Sequence, residues 1–300
     1  MGNLIQIPLL SPVTFARVKT FDHVDNWADV DNTLFNADNF SDVDVLPTPY
    51  HLNWIKNKEI KFQIRQKGTV TVSIYNCSTG AVSGVIAGSN VTPTYFVSTF
   101  DVYNYAWTTG TNGTWKILIH AVQSGNHEYY ESDAIVVSDD LPECIYINYY
   151  HTSNDYGIVF SIDGTAISFD GRIYLESNVT NQKPGNTLDV LTSDRGETEY
   201  LQATPRRLFD LKFLPLPKKI IEMLNLIFSC DTVEVNGIGV QAEGTLSEEP
   251  IEGTLASVAS ITVQQKDWDY MQNDLDTSIS LITDDEDDFI ANDTNVIPTI

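Results

Sequence analysis

The sequence predicts a mainly β protein, an immunoglobulin-like β-sandwich followed by a second β domain carrying one α-helix. Three observations predict it. Short segments alternate apolar and polar residues, as in Lys61-Phe-Gln-Ile-Arg65 and Val70-Thr-Val-Ser-Ile74, the period of a strand with one buried face. The aromatic residues, 14 Tyr and 13 Phe among them, join many Val, Ile and Thr in a composition suited to pleated surfaces. Only one segment, Pro217–Cys230, repeats its apolar residues at helical spacing.

The 300 residues suit two domains of ordinary size, and 42% hydrophobic residues can fill real cores. Residues 1–50 read as an extended N-terminal arm. It opens apolar at Leu4, Ile5 and Ile7, turns polar-aromatic, and ends at Pro47 and Pro49, which favour extended backbone before them. Residues 51–138 read as the sandwich. Gly68 separates its first two strands, and Asn112-Gly113 predicts a hairpin between a strand ending near Trp107 and Trp115–Ala121. A last strand, Ser132–Val137, precedes Asp139-Asp140.

Residues 141–268 read as the second β unit. Cys144–Tyr150 is a short apolar-aromatic strand. Asp163-Gly164 and Asp170-Gly171 predict a three-stranded meander, and 181–187 a loop bearing Pro184 and Gly185. A helix over 218–229 places Ile220, Ile221, Leu224, Ile227 and Phe228 on one stripe, with Pro217 at its start. Asn236-Gly237 predicts a hairpin, and Thr254–Gln264 a closing strand. Residues 269–300 read as an acidic C-terminal tail. Its run Asp284-Asp-Glu-Asp-Asp288 repels itself.

Charge and motif content narrow the function. The net charge is −24, from 41 acidic and 17 basic residues, which disfavours phosphate backbones and anionic lipid as partners. Cys77, Cys144 and Cys230 are too few and too scattered for a disulfide framework or a structural zinc site. The N-terminus lacks a basic segment followed by a long apolar run, and no stretch approaches a bilayer span. The expectation is a protein made and kept in a cytoplasm.

No nucleophile elbow, phosphate-cradling loop or His-x-x-x-His spacing occurs. His23, His51, His120, His127 and His151 are expected in structural or surface roles. Asp29-Val-Asp31 opens like a calcium loop, but Leu34 and Phe40 stand where Gly and Glu are needed. A looser oxygen site around Asp25, Asp29 and Asp31 is the remaining metal reading. Trp27, Trp54, Trp107, Trp115 and Trp268 are core anchors or sugar-stacking rings. No catalytic residue, cofactor or metal is assigned, and the chain is expected not to be an enzyme.

Residues Ile145-Tyr-Ile-Asn-Tyr-Tyr-His-Thr-Ser-Asn-Asp-Tyr-Gly-Ile-Val-Phe160, Arg207–Pro217 and Asp231-Thr-Val-Glu-Val-Asn-Gly237 resemble segments of tail and neck ring proteins of crAss-like bacteriophages of Bacteroidetes. The resemblance covers roughly 141–268. It implies a virion structural protein assembled in the host cytoplasm. Such a protein would form or attach to a homo-oligomeric ring and contact neighbouring tail proteins through its arm and tail. DNA would pass through the assembly, and an acidic inner surface would let it slide without sticking. The alternative is a carbohydrate- or receptor-binding adhesin or tail-fibre module.

Overall fold

The computed structural model describes residues 3–18, 51–94, 98–162, 166–167, 169–192, 198–252, 254 and 256–266. The described residues are mainly β with one helix, as the sequence predicts. The strands of the first half are β1 (Ile5–Gln6), β2 (Phe15–Val18), β3 (His51–Ile55), β4 (Ile60–Gln66), β5 (Thr69–Asn76), β6 (Ala81–Ile86), β7 (Ser89–Asn90), β8 (Asp101–Trp107), β9 (Gly113–Gln123), β10 (Asn126–Ser132) and β11 (Ala134–Ser138). One sheet has the order β1-β4-β8-β7. The other runs β2-β10-β9-β11-β3, with β5 on the opposite side of β9 and β6 outside β5.

Alternation decides which faces meet. Phe62 and Ile64 of β4 are fully buried, as are Val72 of β5 and Ile117 and Ile119 of β9. Phe15 lies 5.6 Å from Phe62, and Trp107 lies 5.5 Å from Trp115, so side chains from the two sheets interlock. The start of the expected arm is built into these sheets. Ile5 pairs with Gln66 and Phe15 with Ser132, and Leu4, Ile5, Leu10, Val13 and Phe15 are buried. Residues 19–50 and the acidic tail lie outside the described residues.

The second half holds β12 (Cys144–Tyr150), β13 (Ser161–Ile162), β14 (Ala166–Ile167), β15 (Gly171–Thr192), β16 (Thr198–Phe213), β17 (Leu216–Pro217), α1 (Lys218–Ile227), β18 (Thr232–Val235), β19 (Ile238–Ala242), β20 (Ser247–Pro250) and β21 (Ala256–Gln265). Its sheet runs β16-β15-β12-β18-β19-β21, and β21 pairs back onto β16. Six antiparallel strands thus close into a barrel. Apolar residues of α1, Ile220, Ile221, Met223, Leu224 and Ile227, are buried together with barrel residues Ile147, Leu211, Val235 and Val263.

Three local expectations need correction. Asn112-Gly113 does not close a hairpin, because β8 and β9 belong to different sheets and the connection crosses between layers. The tight turn on β9 is Ser124-Gly125, with φ of 51° and 79°, joining β9 to β10. The meander does not form among the described residues: β13 pairs with β14, while β15 pairs with β12 and β16. The expected loop at 181–187 is strand, with a register shift between Thr180 and Lys183. Proline is tolerated there because these residues lie outside the barrel wall.

The two halves share one apolar core. Trp54 of β3 packs edge-on against Tyr174 of β15 at 5.0 Å, and the Tyr149 hydroxyl donates to the Leu10 carbonyl. Lys61 pairs with Asp170, and Asn53 Nδ2 donates to Glu176 Oε1 at 3.3 Å.

Candidate functional site

Two strand features stand out from the packed body. The first is a ribbon. Within the barrel, β15 pairs with β12 only through Glu176, and β16 pairs with β21 only from Leu208 onward. Between these limits β15 and β16 pair with each other, from Lys183↔Leu208 out to Thr192↔Thr198. At strand rise this ribbon extends about 33 Å beyond the wall. Among the described residues no strand pairs with either outer edge of it. Arg206 ties its base to the body through Glu243.

The second feature is the edge strand β6. It pairs with β5 alone among the described strands. A register shift at Ile74/Tyr75 places Val85 opposite Ser73 and Val82 opposite Tyr75. Both valines therefore stand on the sheet's outer face, 59% and 69% exposed for Val82 and Val85.

Neither feature was legible as a site in the sequence. Polar runs with Pro and Gly read as loops, and a free edge depends on which strands fail to pair. What the sequence offers for β6 is the turn signal Ser78-Thr79-Gly80 just before it.

Two histidine clusters also form. His120 of β9 and His127 of β10 come together across the hairpin, Nε2 to Nδ1 at 3.0 Å. Tyr129 stacks on His120 at 4.5 Å and 1°. Burial, and then the neighbouring His127, push the His120 pKa down. His151 follows β12, with Nδ1 2.9 Å from Asp231 and Nε2 3.5 Å from Asp155. The adjacent hydroxyls donate to the carboxylates, Thr152 to Asp231 and Ser153 to Asp155. These bonds with Thr152 hold the Asp231 carboxyl below its usual range. The cluster pins the loop after β12 onto the start of β18. His51 is exposed at the start of β3.

No protein-family model matches this chain, and no curated protein does.

The remaining candidates fall as follows. Asp25, Asp29, Asp31, His23, Trp27 and Trp268 lie outside the described residues. Trp54 and Trp115 are buried, and Trp107 packs on Trp115, so these three anchor the core. Cys77, Cys144 and Cys230 are free thiols. Burial pushes Cys144 and Cys230 up to about 12 and raises Cys77, which keeps them protonated at neutral pH. Among the described residues, no group of three or more His, Cys, Asp or Glu is placed to hold a metal ion, and no helix is long and apolar enough to cross a membrane.

Proposed function

We propose that the chain is a structural component of a phage virion, forming or attaching to an oligomeric ring of the tail or neck. The observation that carries this reading is the β15–β16 ribbon, which reaches beyond a closed barrel with both edges unpaired among the described residues. An isolated two-stranded ribbon is marginal in water, and a neighbouring chain would stabilise it. The body it springs from is stiff, because sandwich and barrel share one core. We read the first unit as an immunoglobulin-like sandwich, on the strength of its two interlocked layers and short, mostly antiparallel strands. Residues 19–50 and the tail at 269–300 would add contacts with neighbouring virion proteins. The chain would then be found in the virion after assembly in the host cytoplasm, and would work without catalysis.

The test is assembly of the purified chain, followed by size-exclusion chromatography and negative-stain imaging, with antibody detection in purified particles. Closed rings and incorporation into virions are expected. A monomer at every concentration, absent from particles, would sink the reading.

A second reading, a carbohydrate- or receptor-binding module, draws on the His120–Tyr129 stack. Its sign would be glycan binding by the monomer that Tyr129→Ala abolishes.

A further inference from the structure

We infer that the β15–β16 ribbon of one copy pairs with the free edge of β6 on the next copy, joining chains head to tail. The inference rests on the ring reading and names the contact that would build it. Charge is the first argument. Each chain carries −24, so two copies can approach closely only where their surfaces are neutral or opposite in sign.

Residues 68–100 contain no Asp, Glu, Lys, Arg or His, and this run includes all of β5, β6 and β7. The ribbon is the matching case. Over 183–207, Lys183, Arg195, Arg206 and Arg207 balance Asp189, Asp194, Glu197 and Glu199. Both regions thus escape the acidic excess, and both present strand edges.

Edge chemistry is the second argument. Natural edge strands are protected by charges, proline or a covering element. β6 carries no charge and no proline, and it exposes Val82 and Val85 on one face. Such an edge accepts an added strand through its main chain, and the side chains on the outer face supply the apolar contact. On the ribbon, Pro184 and Pro205 lie near the base, paired with Arg207 and Asn186. They lack the N–H that an added strand would use. Residues 186–192 and 198–204 beyond them retain it, which places the pairing segment in the outer part of the ribbon.

Geometry is the third. Donor ribbon and acceptor edge are different surfaces, so the contact is heterologous, and repetition closes a ring when the rotation allows. A β6–β6 contact would be two-fold and would stop at a dimer.

The experiment uses the full chain. One variant replaces residues 186–205 by an Asn-Gly turn. The other is Val85→Lys, which places a charge on an exposed position of the edge. Circular dichroism and a thermal melt check folding, and light scattering after size exclusion reads the mass. The expected result is an assembling wild type, two monomeric variants, and a one-to-one dimer when the variants are mixed. That dimer forms because one variant keeps β6 and the other keeps the ribbon. Assembly of either folded variant like wild type, or no dimer on mixing, overturns this contact while leaving a ring by another surface intact. A wild type that stays monomeric overturns the contact, and one that is also absent from particles overturns both. Should the shortened ribbon not fold, Val85→Lys alone decides: monomers support the contact, wild-type assembly overturns it.

Discussion

Gln63 grips Val159 with both ends of its amide. Its Nε2 donates to the Val159 carbonyl at 3.1 Å, and the Val159 N–H donates to its Oε1 at 2.7 Å. A side chain of β4 in the first half thus stands in for a strand partner to the barrel half. Gln63 is fully buried, so both groups are out of water.

Gln63→Ala removes both of these bonds between the halves, at about 0.5–1.5 kcal/mol for each. The expected outcome is a lower urea midpoint. The wild type should unfold in one transition by fluorescence and circular dichroism together, because Trp54 and Tyr174 join the halves. Two separate transitions in the wild type would contradict a shared core.

Lys116 and Glu131 form a buried ion pair at 3.1 Å, with side chains 2% and 10% exposed. Removing one partner leaves a buried charge alone, so Glu131→Leu is expected to destabilise by about 3–5 kcal/mol. Lys116→Met with Glu131→Leu removes both charges and should recover most of that loss. Denaturant titrations of the two single variants and the double variant measure the coupling. Additive losses would contradict it.

Gly171 faces Tyr149 across β12 and β15. A Cβ there would fall 1.9 Å from the Tyr149 ring. Gly171→Ala must displace the ring and its bond to Leu10, an overpacking that costs about 1–3 kcal/mol. A melting temperature unchanged from wild type would show that the ring moves freely.

The His120 pKa is lowered on folding, by burial and then by His127. The unfolded chain therefore binds the proton more readily. The resulting stability is complete above the ordinary histidine range and is lost as pH falls from there toward the lowered folded value. Thermal melts between pH 7.5 and 5 should fall with acid. The fall should be shallower in His120→Gln, which has no imidazole to protonate. Equal slopes would remove His120 as the cause.

Much of the backbone pattern was legible locally. β4 and β5 follow from alternation, β12 from its apolar-aromatic run, α1 from its apolar stripe, and the Asn236-Gly237 turn from its residues, with φ of 50° and 83°. Pairing was not legible, because it depends on which apolar faces meet. The dipeptide at 112–113 crosses between layers, while Ser124-Gly125 makes the hairpin. The parallel β3–β11 pair and the β16–β21 closure join residues far apart in sequence. The sequence did not show that the strands after residue 141 close on themselves. Polar β15 carries Pro184 and Gly185, which imitate a loop until β16 is laid beside it.

The β16–β21 seam also sets an order of events during synthesis. Residues 260–264 are the ones that meet β16, so the barrel stays open until nearly the whole described chain has left the ribosome. Until then β16 and β19 each expose a raw edge beside an apolar interior. A chain truncated near residue 250 should aggregate, whereas one ending just past Lys266 has every described strand it needs.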